Sequence, residues 1–196
     1  MKHLSRILRE FIPVATAVLL SGCIVSDPVY VEYAIEPDLS GEVVIEITGI
    51  HSDEDDPVKR NEEFEQYCDE GYLEQGRDWA LIFGLDDARI SLTNRTDRSC
   101  ELIVEGDFDN LPRALSVLAG EHDYEIRRSG RLFIARLLTG TTPAGDDDNE
   151  FTLVVQFAGD ILTHNAQEFD VESGTMTWLQ SGIDESGVQF ILKAEE

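Results

Sequence analysis

The chain has 196 residues, 42% of them apolar and 28% charged, enough apolar material for the core of one domain and too much for a disordered chain. Asp and Glu number 40 against 15 Lys and Arg, a formal charge of −25. Binding to nucleic-acid phosphates needs a clustered basic surface, which this composition opposes, so no nucleic-acid partner is expected.

The first residues describe an export signal. Lys2, Arg6 and Arg9 precede an apolar run over 11–20, followed by small residues. That run is about half the ~20 residues a membrane span needs. Leu20-Ser21-Gly22-Cys23 resembles the lipobox of bacterial lipoproteins, in which the thiol receives diacylglycerol and the signal is cut just before it. The expected organisation is therefore a signal peptide over 1–22, lipidation at Cys23, a short tether over 23–28 and a single ectodomain over 29–196. The acyl chains would hold the protein at a cell membrane or outer membrane, with the domain on the periplasmic or extracellular side. Ile24 rather than Asp follows the cysteine, the pattern of outer-membrane lipoproteins in cells with two membranes.

Two-residue alternation dominates the remainder. Val29, Val31, Tyr33 and Ile35 share one strand face, and a Pro-Asp-Leu-Ser-Gly turn at 37–41 leads to a second strand with Val43, Ile45 and Ile47. Asp56 as N-cap and Pro57 in the first turn open a helix reaching about Gly71, with Phe64, Tyr67 and Cys68 on one face. Strands near 87–93 and 99–106 precede a helix over 110–119 carrying Leu111, Leu115 and Leu118. A tight hairpin turns at Arg128-Ser129-Gly130-Arg131, and three last strands fall near 150–158, 174–180 and 187–195. The expected fold is α+β: ββαββαββ followed by three further strands, a mainly antiparallel sheet with two helices. Glu42–Glu46 echoes Glu101–Glu105, a likeness that a ββα duplication would explain and that five common strand residues also produce by chance.

With Cys23 assigned to lipid, Cys68 and Cys100 remain, and in an exported domain such a pair is expected to form a disulfide rather than two free thiols. Chemistry is otherwise sparse. His3, His51, His122 and His164 are scattered, and no His-Glu-x-x-His, Gly-x-Ser-x-Gly or phosphate-cradling glycine loop is present. The acidic runs Asp53–Asp56 and Asp146–Glu150 lack EF-hand spacing and read as solvated loops. No metal, cofactor or catalytic residue is assigned, and an enzyme is not expected. Positive charge is the scarce commodity. Arg127, Arg128, Arg131 and Arg136 supply four of the twelve Lys and Arg that follow Cys23. Arg127, Arg128 and Arg131 are candidates for gripping an anionic headgroup, although arginines on an exposed turn also serve solubility and pair with surplus acids.

The C-terminal third resembles the LppM-like lipoprotein domain. Phe157-Ala158-Gly159-Asp160-Ile161, His164-Asn165, Gly174-Thr175-Met176-Thr177-Trp178 and a final strand with Leu192-Lys193-Ala194 occur in the family's order, with Ala158 where the family tends to have proline. The resemblance implies an α+β lipoprotein ectodomain engaged with envelope lipids rather than catalysis, with Gly159 and Trp178 as architectural residues. The resulting expectation is a membrane-anchored lipoprotein that binds an envelope lipid, glycolipid or other amphiphile. The alternative is a structural or assembly lipoprotein that docks another envelope protein. Apolar strand faces with only two helices to cover them support either.

Overall fold

A computed structural model describes residues 29–66, 68, 71–96, 99–119, 124–137, 151–183 and 186–195, with 24–25, 94–96 and 119 as backbone. The signal peptide, Cys23, Tyr67, His3, His122, Leu138 and the acidic run 146–150 lie outside the described residues. The first hairpin forms where alternation and the Pro37 turn place it, from β2 (Val29–Ile35) and β3 (Gly41–Ser52), with Val31, Tyr33, Ile35, Val43, Ile45 and Ile47 buried. A two-residue strand, β1 (Ile24–Val25), pairs with the far end of β3. Asp56 caps α1 (Pro57–Gln66) as its chemistry requires, its carboxylate accepting from Val58 N at 2.8 Å.

Among the described residues the α-helices number three, not two. Helix α1 is described to Gln66, with Cys68 and Gly71 also helical in keeping with the expected reach to about Gly71, and α2 (Tyr72–Phe83) continues from there before β4 (Asp86–Thr96) and β5 (Ser99–Phe108). Gly76 interrupts the apolar pattern of α2 and hides it in the sequence. A Cβ there would lie 2.6 Å from Ile90 Cγ2 and 3.2 Å from Val104 Cγ2, so the missing side chain is what lets α2 lie against β4 and β5. Gly84, with φ +70°, ends α2, and Leu85 N–H reaches back to Ala80 O at 2.9 Å.

Helix α3 (Leu111–Ala119) buries Leu111, Leu115 and Leu118 as expected, and the backbone carbonyl of Ala114 accepts the buried Tyr33 phenol at 2.9 Å. Burial raises the pKa of that phenol far above its usual value. The arginine hairpin is β6 (Tyr124–Ser129) and β7 (Leu132–Leu137), closed at Gly130 with φ +61°. The last region holds five strands where three were expected: β8 (Phe151–Phe157), β9 (Asp160–His164), β10 (Glu168–Asp170), β11 (Thr175–Leu179) and β12 (Val188–Lys193). Strands β9 and β10 are short and polar, and they carry no periodic apolar signal.

The strands divide into two sheets. The large one runs β10-β11-β8-β2-β3-β5-β4, with β1 on β3, and the small one runs β6-β7-β12-β9. Pairing is antiparallel except between β2 and β8. The chain crosses from one sheet to the other at Ala158-Gly159, where Ala158 N–H donates to Ile35 O at 3.0 Å. One core fills the space between the two sheets and the helices, with Trp178, Phe133 and Phe190 at its centre and Trp178–Phe190 ring centroids 5.9 Å apart. Helix α2 and the small sheet cover apolar surface that two helices would have left bare. The echoing segments Glu42–Glu46 and Glu101–Glu105 turn out to be antiparallel neighbours, Ile45 opposite Val104.

Cys68 and Cys100 form the expected disulfide, with Cα atoms 5.9 Å apart, tying the segment between α1 and α2 to β5. Closing a loop of 32-residue separation stabilises by about 3.7 kcal/mol on the chain-entropy argument. No helix among the described residues is long and apolar enough to cross a membrane.

Candidate functional site

The small sheet presents a buried face and an open one. Strand alternation sends Phe133, Ala135, Leu137, Val188, Phe190 and Leu192 into the core. The residues between them form the open face in three rows set by the register. Ser129, Leu132, Lys193 and Asp160 make one row, Arg127, Ile134, Ile191 and Thr163 the next, and Glu125, Arg136 and Gln189 the third. Leu132 is 37% exposed and Leu162, beside the β9–β12 irregularity, 52%. Ile134 and Ile191 are half-buried at the centre. The face is thus an apolar strip flanked by Arg127, Arg136 and Lys193, with Arg131 and Arg128 at its turn end.

The three sequence-predicted arginines are all exposed and lie together, but each has a partner. Arg127 Nε pairs with Glu125 Oε1 at 2.6 Å. Arg128 donates from Nε to Gly130 O at 3.1 Å and from Nη2 to Glu195 O at 2.5 Å. Arg131 Nε reaches Ala194 O at 3.4 Å. Arg128 and Arg131 therefore also clamp the end of β12 to the hairpin, a structural task that sequence reading did not assign. Such exposed contacts contribute little individually.

Lys193 is the member that sequence reading missed. It comes from β12, 62 positions after Arg131 in the chain, and only the β7–β12 pairing sets it opposite Leu132. Its Nζ holds Asp160 Oδ2 at 2.6 Å. This hydrogen bond and charge, with Arg131 nearby, keep the Asp160 carboxyl below the usual carboxylate range. Five of the twelve Lys and Arg after Cys23 sit on this one sheet. The opposite surface, the open face of the large sheet, carries Glu32, Glu42, Glu46, Glu105 and Asp107, with Arg89 held by Glu105 at 2.9 Å.

Cys23 is outside the described residues. Among those described, no three His, Cys, Asp or Glu side chains converge as a metal-binding group. The His51 ring lies on Gly49 O, and the His164 ring tilts against that of Phe169 with centroids 4.4 Å apart.

No family model matches the chain, and no curated protein matches it. Among solved structures it is similar to the folded domain of LppM from Mycobacterium tuberculosis, at 18% identity over 87% of this chain and 91% of that one, with a TM-score of 0.42. That is the family the C-terminal third resembles. It is also similar to an M1 zinc metallopeptidase from Deinococcus radiodurans, at 11% identity and a TM-score of 0.30, over 88% of this chain and 43% of that one. The chain spans under half the length of the metallopeptidase.

Proposed function

We propose that this protein is a lipid-anchored component of the bacterial envelope, held by Cys23, whose ectodomain binds an anionic lipid or glycolipid on the open face of the small sheet without transforming it. One observation carries the reading. In a chain of charge −25, Arg127, Arg136 and Lys193 share one open face with the exposed Leu132 and Leu162, and Arg128 and Arg131 lie at its turn end. An anionic amphiphile is repelled elsewhere and meets there both a cationic rim and an apolar strip. The Leu-Ser-Gly-Cys sequence supports the anchor, and the Cys68–Cys100 disulfide suits an oxidising compartment outside the cytoplasm.

The test is vesicle binding by residues 24–196 secreted behind a signal peptide that adds no lipid. Binding to phosphatidylglycerol vesicles should exceed binding to phosphatidylcholine vesicles and fall with salt. Arg127→Gln with Arg131→Gln should weaken it roughly thirtyfold, at about fivefold per cation near an anionic surface. Equal binding by wild type and variant would refute the assignment of the face.

A second reading, docking of a basic envelope protein, rests on the acidic open face of the large sheet. There Tyr30 Oη donates to Glu32 Oε2 at 2.6 Å, and burial followed by that carboxylate pushes its pKa up to about 12. A co-purifying protein in place of a co-purifying lipid would favour it.

A further inference from the structure

The register of the N-terminal strands relates the anchor to the binding face. Ile24 lies opposite Ser52 and Val25 opposite His51, and β2 continues the same register from Val29 opposite Ile47 to Ile35 opposite Gly41. Strands β1 and β2 thus form one line along β3. Ile24, the residue after Cys23, is already in the sheet, which takes up part of the tether expected at 23–28 and leaves the anchor position beside Ser52. The other end of the 12-residue β3 is Gly41, about 35 Å away at ordinary strand rise.

The cationic end of the small sheet is at that far end. Glu195 N–H donates to Pro37 O at 2.7 Å, in the turn just before β3 begins. Ala194 N–H donates to Arg131 O at 2.7 Å, and Arg128 holds Glu195 O. Lys193 meets Asp160 directly after the crossing at Ala158, which bonds Ile35. At the anchored end, Asp53, Glu54, Asp55 and Asp56 follow Ser52, and Glu62, Glu63 and Glu65 lie on α1.

Screening decides between the two ends. At physiological salt the Debye length is about 8 Å, so cations some 35 Å from the anchor exert almost no pull on the leaflet that holds it. The acids beside the anchor are within reach of that leaflet and are repelled by anionic headgroups. Laying the domain on its side would press those acids against the headgroups.

We infer that the protein meets its anionic amphiphile in trans: the Arg128, Arg131 and Lys193 end of the small sheet engages a bilayer surface other than the one that holds the lipid on Cys23. This rests on the reading of Cys23 as lipid-bearing and of the small sheet as the amphiphile face.

The test uses the full acylated protein reconstituted in phosphatidylcholine vesicles and mixed with phosphatidylglycerol-containing vesicles. Light scattering and co-sedimentation report bridging. Bridging should occur at low salt, disappear in molar salt, and require roughly thirtyfold more of the Arg128→Gln/Arg131→Gln protein, at about fivefold per cation. Arg128→Lys/Arg131→Lys keeps the charge and should retain bridging, which separates lost charge from lost structure. A loss that is equal in both variants, or bridging that neither variant alters, would overturn the contact at this end. No bridging by protein that still binds monomeric short-chain phosphatidylglycerol would overturn the trans geometry and leave the amphiphile reading intact. Failure to bind the short-chain lipid as well would remove that reading first.

Discussion

A single amide, Asn165, joins the two sheets. Its Oδ1 accepts from Trp178 Nε1 at 2.9 Å and from Gln189 N at 2.8 Å, while its Nδ2 donates to Gly187 O at 2.6 Å. It thereby ties the end of β9 to β11 in the large sheet and to β12 in its own. Asn165→Ala would strand the indole N–H of the fully buried Trp178 and a strand amide. It should lower stability by about 2–3 kcal/mol, seen as a lower urea midpoint with an unchanged slope. This much was partly legible. Asn165, Trp178 and Gly159 stand out in the sequence through resemblance, and the cysteine pair through its count. Their bonding partners were not legible, because a hydrogen bond between residues on separate strands leaves no periodic trace.

At the scale of elements, apolar alternation located β2, β3, β4, β5, β8, β11 and β12, since each turns an apolar face toward the core, half-buried in the case of β4, and alternates accordingly. Capping chemistry located the start of α1, and the spacing of Leu111, Leu115 and Leu118 located α3. Helix α2 escaped because the feature that permits its packing is the one that breaks its pattern. Gly76 is a poor helix former, yet its bare Cα lies against Ile90 and Val104. Gly76→Ala sets these effects against each other: helix propensity favours Ala by about 1 kcal/mol, and overpacking a tight contact costs about 1–3 kcal/mol. The β-branched Ile90 gives way poorly, so Gly76→Ala should be net destabilising by about 1 kcal/mol, measurable as a lower melting temperature. A rise in melting temperature would show that α2 is not seated on β4 and β5 as described. The candidate face has the same kind of history. Its arginines are neighbours in the chain and were visible, whereas Lys193, Ile191 and Leu162 join them only through the β7–β12–β9 pairing.

For the molecule as a whole, the charge of −25 makes self-repulsion a standing cost of folding. The acids are spread over the open face of the large sheet and the end that carries α1, with few cations among them. Added salt screens this repulsion, so the melting temperature should climb as NaCl is raised from low to molar concentration, with the largest gain in the low range. A flat or falling curve would mean that specific ion pairs such as Arg89–Glu105 and Lys193–Asp160 outweigh the general repulsion. The collinear β1 and β2 also have a mechanical meaning. The strand next to the proposed attachment at Cys23 is an inner one, bonded to β3 on one side and, along β2, to β8 on the other. A pull along that strand loads its ladders in shear, many bonds at once, rather than peeling them one by one. If Cys23 carries the proposed lipid, force transmitted from a membrane would thus enter the fold through one of its inner strands.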